Sequence, residues 1–287
     1  KVSPQQDYLL FQVENALKIY KRTETGEFKE IQSFNVDGTE IRRFKIGRDD
    51  LTISTSQNSI VYTKDQDGLF QESIRLGGFH LALVSGDYLF TARDDEQVQI
   101  LKKNVAGEYE PQMNYLNGSP SGALPSWIFF ENGHLILAAC DGTIKIWKQE
   151  KSGSFTGPKL LDVNDDFMNF VNCFEVKEDY IFVGMSKGQL IILKKDEKGE
   201  FQVQTNSENH GEQINALITY ENYLISGSID GTVKVWEKGR DGAYVLLQTL
   251  SDPDLEVSIT KLSMEDNKLV VAHCSGAVKI WDFFPKP

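Results

Sequence analysis

Residues Asp230–Trp236 read DGTVKVW, a turn signal followed by an apolar–polar alternation. A period of two places every second side chain on one face, the mark of a half-buried strand, and the Asp-Gly before it predicts a tight turn. The pattern returns as DGTIKIW at Asp141–Trp147 and SGAVKIW at Ser275–Trp281. Weaker versions are ENALKIY ending at Tyr20, QNSIVYT at Thr63, DEQVQIL at Leu101 and KGQLIIL at Leu193. With the last residue of each taken as a slot, the slots lie 43, 38, 46, 46, 43 and 45 residues apart. The chain therefore carries an internal repeat of strands.

Two further markers keep this phase. Five or six residues after each of the first six slots comes Gly-x-aromatic: Gly26/Phe28, Gly68/Phe70, Gly107/Tyr109, Gly153/Phe155, Gly199/Phe201 and Gly242/Tyr244. This predicts a hairpin loop with one residue at positive φ, then a strand opening on a buried ring. Ahead of most slots a polar turn enters a strand, as in DYL at Asp7–Leu9 and Asp87–Leu89, DYI at Asp179–Ile181 and NYL at Asn222–Leu224. GHL at Gly133–Leu135 and NKL at Asn267–Leu269 fill the same place. The sixth repeat parses into four strands, INALITY, YLISGS, TVKVW and AYVLLQTL, and no segment shows a sustained helical period with caps.

This spacing is that of a four-stranded propeller blade. One such unit cannot bury both its faces, so seven stack radially and close a ring. The expected fold is all-β, a seven-bladed β-propeller of four-stranded antiparallel blades, with residues 1–287 as a single domain. The parse yields 26 of 28 strands, because there is no room for a first strand before Asp7 or a fourth after Trp281. Closure is expected to draw on Lys1–Gln6, on Phe283–Pro287, or on a segment upstream of Lys1, since a chain starting at Lys reads as a fragment of a larger one.

Over about residues 7–282 these repeats resemble the WD-repeat β-propellers. Trp281–Asp282 is a literal Trp-Asp pair, and His210, preceded by Asn209, stands where that family places the histidine of its Gly-His dipeptide. The resemblance implies a buried hydrogen-bonded tetrad in the sixth repeat: Asp230, His210, Trp236, and Ser226 or Ser228. Asp, His and Ser are also the residue types of a hydrolytic triad. The structural reading is preferred, because a tetrad tying together the turns of one blade needs no pocket and buried polar groups must be paired. No catalytic residue is assigned. Slots holding Tyr, Thr or Leu leave their blades to apolar packing.

Net charge is −12 with a pI near 4.9, which counts against broad binding to nucleic acid or to anionic membranes. Cys140, Cys173 and Cys274 are scattered, without paired spacing, so neither a disulfide framework nor a zinc site is expected. No apolar run is long enough to span a bilayer. No phosphate-binding loop is present, and no cofactor or metal is expected. Lys21, Lys64, Lys102, Lys148 and Lys194 follow the slots; they could form a basic rim but alternate with acids, which favours a solvated face.

The candidate chemistry lies in the loops entering each blade. Asp165 and Asp166 stand beside Phe167, Met168 and Phe170; a second loop carries Asp252, Asp254 and Glu256; Arg93 and Asp94 lie in the third repeat. Carboxylates grouped with aromatics suit a basic, partly apolar peptide, set against the plainer reading of solubilising loops over inward-turned rings. The expected function is a non-catalytic protein-interaction scaffold, a subunit of a larger complex, intracellular in cytoplasm or nucleus. The alternatives are a substrate-recruiting domain of a larger enzyme or ubiquitin-ligase-type protein and, more remotely, a propeller enzyme.

Overall fold

The structure is a computed structural model, and it describes all residues except 1–7, 14–15, 37–40, 48, 79–80, 94–96, 117–124, 164–168, 205–208, 252–256, 266 and 284–287. Among the described residues the chain forms 26 strands in seven sheets and no helix. Each sheet is a meander whose strands pair with their neighbours in chain order.

The first sheet holds β1 (Tyr8–Val13), β2 (Ala16–Arg22) and β3 (Phe28–Asn35). The second holds β4 (Ile41–Ile46), β5 (Asp50–Thr55), β6 (Asn58–Lys64) and β7 (Phe70–Gly77). The third holds β8 (Leu81–Ser85), β9 (Tyr88–Ala92), β10 (Val98–Lys103) and β11 (Tyr109–Leu116). The fourth holds β12 (Pro125–Glu131), β13 (His134–Ala139), β14 (Thr143–Gln149) and β15 (Phe155–Asp162). The fifth holds β16 (Val171–Lys177), β17 (Tyr180–Met185), β18 (Leu190–Lys195) and β19 (Phe201–Gln204). The sixth holds β20 (Ile214–Tyr220), β21 (Tyr223–Ser228), β22 (Thr232–Lys238) and β23 (Tyr244–Ser251). The seventh holds β24 (Ile259–Glu265), β25 (Lys268–His273) and β26 (Val278–Asp282).

The 26 strands match the number read from the sequence, and the two incomplete sheets are the first and the last. Val278 and Ile280 are exposed on β26, the last strand of its sheet. Of the segments considered for closure, 1–6 and 284–287 lie outside the described residues. Phe283 packs edge-on against Tyr220 and Tyr223 of the sixth sheet. By its internal contacts the chain divides into two compact units, 1–130 and 131–287.

The register fixes the phase of the repeat. Leu9 pairs with Tyr20, Leu89 with Leu101, Leu135 with Trp147, Ile181 with Leu193, Leu224 with Trp236 and Leu269 with Trp281. In the second sheet the equivalent pair is Leu51 and Tyr62. The slot of that repeat is therefore Tyr62, not Thr63. A register shift on the pairing to the next strand falls just before the slot in β2, β6 and β22, and the Tyr62 side chain is buried where that of Thr63 is only half-buried.

The loop glycines behave as the pattern requires. Gly26, Gly68, Gly107, Gly153, Gly199 and Gly242 have φ between +80° and +87°. Each donates its N–H to the carbonyl three residues back, closing a turn that a side chain at the glycine would strain. The rings that open the last strand of each blade divide: Phe70, Phe155, Phe201 and Tyr244 are buried, Tyr109 is half-buried and Phe28 is 40% exposed. Phe70 packs on Tyr8, Phe201 on His134 and Tyr244 on Tyr180. Each contact reaches, in the preceding sheet, the strand just before the one that carries the slot. Phe28 belongs to the first of the described sheets.

Candidate functional site

The hairpin from β21 to β22 and the segment entering β20 converge on one buried network in the second unit. Trp236 Nε1 donates to Ser226 Oγ at 2.9 Å, and Ser226 Oγ lies 2.8 Å from His210 Nε2. His210 Nδ1 lies 3.3 Å from Asp230 Oδ2 and 3.0 Å from Thr232 Oγ1. Asp230 also accepts from the Gly211 and Thr232 amides, each at 2.9 Å, and from the Thr232 hydroxyl at 2.6 Å. Donors and acceptors balance in a single tautomer: Ser226 donates to Nε2 and Nδ1–H points at Asp230 and Thr232.

The structure thus brings His210, Ser226, Asp230 and Trp236 together. Ser228 stands beside them: its hydroxyl donates to the Glu212 carbonyl and accepts from the Asp230 amide. Of the two serines considered, Ser226 is the one bonded to histidine and indole. Thr232 is a member that sequence reasoning missed, although it comes directly after Asp-Gly.

Burial pushes the His210 imidazole down to about 4, outweighing the attraction of Asp230. Burial also works against ionised Asp230, but the Thr232 hydroxyl and amide, His210 and the Gly211 amide together hold its carboxyl below the ordinary range. The Ser226–His210–Asp230 order has the connectivity of a hydrolytic triad, yet Ser226 is 0% exposed and already holds the Trp236 indole. No substrate carbonyl can reach that oxygen, and general-base attack needs such an approach.

The loop candidates are only partly on view. Asp94, Asp165, Asp166, Phe167, Met168, Asp252, Asp254 and Glu256 lie outside the described residues. Arg93 is half-buried, with its amide on the Gln97 carbonyl. Phe170 is held through its backbone: its amide donates to Ser186 Oγ and its carbonyl accepts from the Ser186 amide, both at 2.8 Å. The neighbouring Asn169 is buried, accepts from the Lys187 amide at 3.0 Å and bonds Gln189. Phe170 as a residue is nonetheless 44% exposed. By register the sixth-sheet counterpart of Phe170 is Gln213, whose carbonyl accepts from the Ile229 amide as that of Phe170 accepts from Ser186.

The lysines after the slots are not simply a rim. Lys64 lies 4.7 Å from the Tyr8 ring centroid and 5.3 Å from that of Phe70, while Lys102 covers Tyr88 and Lys194 covers Tyr180. Lys103, Lys195 and Lys238 also lie over rings. Their stems and charges cover aromatic seams while the ammonium groups stay near water.

Also unforeseen is a polar ladder along the first strands of the fifth to seventh sheets. Asn172 Nδ2 donates to the Ile214 carbonyl at 2.8 Å, and Asn215 Nδ2 to the Ile259 carbonyl at 2.9 Å. Both asparagines occupy register shifts, where the extra residue frees its side chain to cross to the next sheet. Cys173 is buried, donates to the Ile214 carbonyl and has its thiol pushed up by burial. Among the described residues, no group of three His, Cys, Asp or Glu side chains could hold a metal ion.

The family model "WD domain, G-beta repeat" matches residues 113–148 and 201–237, the two stretches ending just past Trp147 and Trp236. The second match contains the whole His210–Trp236 network. The crystal structure of Saccharomyces cerevisiae Sqt1 aligns over 98% of this chain and 82% of that one, with a TM-score of 0.75 at 10% identity. The fold is that of a β-propeller, and two of its repeats are similar to the WD-repeat family. Its seven sheets are the blades, and the His210 network is the internal tie of the sixth.

A curated relative, "Restriction of telomere capping protein 1" of Candida dubliniensis, is 33% identical over 125 residues, 40% of this chain. The match covers 11% of that relative, so the propeller corresponds to only a small part of its length. The periplasmic gluconolactonase of Pseudomonas aeruginosa shares the fold at a TM-score of 0.65 and 14% identity, over 87% of this chain and 85% of that one. No helix among the described residues is long and apolar enough to cross a membrane.

Proposed function

We propose that this propeller is a non-catalytic platform that docks a basic, partly apolar protein segment on the loop face carrying Phe170. One observation carries the reading: an aromatic residue 44% exposed on a backbone pinned by two hydrogen bonds to Ser186. A rigid exposed aromatic loses little freedom on binding, as interface anchors require. Asp165 and Asp166, a few residues upstream, supply the charge that would select a cationic partner. The WD-repeat fold supports an interaction role, and the sealed Ser226 removes the most triad-like set from catalysis.

The match to a small part of a much longer relative favours a second role alongside the first, in which the propeller recruits substrates or partners for a larger protein. The name of that relative concerns telomere capping; carried to this chain, it supports an intracellular setting, cytoplasm or nucleus, within a complex.

The test is a quantitative pull-down with the wild-type chain, with Phe170→Ala and with Asp165→Lys/Asp166→Lys, each checked for melting temperature. Partners retained by wild type are expected to be lost by both variants at unchanged melting temperature. Full retention by both variants would sink the reading.

A further inference from the structure

The first unit contains a cavity of about 180 Å³ between β4, β5, β8 and β12, lined among others by Arg43, Thr52, Ser54, Leu81, Leu83 and Trp127. The Arg43 guanidinium lies over the Trp127 ring, 3.8 Å from its centroid. Stacking uses the face of the guanidinium and leaves its N–H edge free to donate. Among the described residues, no carboxylate or carbonyl takes that edge. Burial alone pulls the Arg43 pKa down to about 10, with no partner charge offsetting it, so the group remains a cation at neutral pH.

A half-buried cation with no counter-charge among the described residues is costly to the fold, and an anion seated in the cavity would offset that cost. Thr52 adds a second donor: its side chain is 3% exposed, and its hydroxyl has no partner among the described residues. Ser54 is already engaged, with its hydroxyl 3.2 Å from that of Ser59. Leu81 and Leu83 are buried and give the cavity an apolar wall. An apolar cavity of about 150 Å³ holds benzene, so this one has room for a body of that size and a small polar head.

We propose that this cavity binds a small free carboxylic acid with a benzene-sized apolar body. The carboxylate accepts from the edge of Arg43 and from Thr52, and the body rests against Leu81, Leu83 and the Trp127 ring. Lys45 also lines the cavity but is exposed, so the donors set against the apolar wall are Arg43 and Thr52, fewer than the acceptors a phosphate brings. An extended polyanion would be repelled by a chain of net charge −12, whereas a compact acid can enter a local positive site.

Isothermal titration of the whole chain with benzoate, benzamide and inorganic phosphate tests this. Benzoate is expected to bind saturably at one site and to raise the melting temperature with concentration. Benzamide and phosphate are expected to bind at least about tenfold more weakly. Arg43→Met keeps a stem on Trp127 and removes the unpaired charge, so the ligand-free melting temperature should hold or rise while benzoate affinity drops about tenfold or more. No saturation by about 10 mM benzoate, equal binding of benzamide or phosphate, or an unaltered Arg43→Met affinity each overturns the proposal. So does a clear fall in the ligand-free melting temperature of Arg43→Met, since Arg43 would then be serving the fold.

Discussion

His210 sets how the sixth blade responds to acid. Its folded pKa is about 4, against 6.5 for a free imidazole. Between those values the unfolded chain takes up a proton that the folded chain refuses, so stability falls as pH falls, by about 3 kcal/mol across the window. Asp230, held below the ordinary carboxylate range, extends the loss to lower pH as it protonates. Glu175 works in the opposite sense. Burial raises it to about 7 despite a 3.2 Å bond from the Thr219 hydroxyl, so the folded chain holds its proton more tightly and stability falls as pH rises from about 4.5 to 7. The two trends offset each other in the wild-type curve, and variants are needed to separate them. In urea titrations, the stability gap between wild type and His210→Gln should shrink by about 3 kcal/mol from pH 7 to pH 4; a constant gap contradicts the assignment. Glu175→Gln should stabilise the chain at pH 8 and change little at pH 5.

A blade's second strand runs close to its neighbour, and the close approach depends on small residues. A Cβ built on Gly227 in β21 would lie 2.7 Å from Ile259 Cγ2 of the next blade. Gly227→Val should therefore cost about 1–3 kcal/mol through overpacking, seen as a lower denaturation midpoint at unchanged slope. The repeat itself was largely legible at this scale. The loop glycine falls six residues after the slot in every one of the first six repeats once Tyr62 replaces Thr63. That constant spacing was the signal for the correct phase, because the turn fixes register locally. The burial of the rings was less legible. Phe28 and Phe70 share the same local context, but Phe70 packs on Tyr8 of another sheet and is buried, while Phe28 is 40% exposed.

For the whole molecule, we propose that residues 1–287 behave as one domain. Calorimetry should then give a single transition with equal calorimetric and van't Hoff enthalpies, whereas two transitions would separate 1–130 from 131–287. The partner face and the Arg43 cavity lie in different units, so the two proposals can fail independently.

The sequence by itself determined the blade: its period, its strand count and its loop glycines. These depend on alternation and turn chemistry within some 45 residues, where the order of residues dictates backbone geometry directly. The resemblance pointed to His210, Asp230 and Trp236, and the structure chose Ser226 over Ser228. The tertiary structure alone decided which polar groups meet across blades. Arg43 and Trp127 are far apart in the chain, and neither sits at a repeat marker. Asn172 and Asn215 cross between sheets only because register shifts turn them outward. Thr232 completes the Asp230 network because the turn folds its hydroxyl back on the carboxylate. Contacts between blades arise from stacking one repeat on another, which no single repeat encodes.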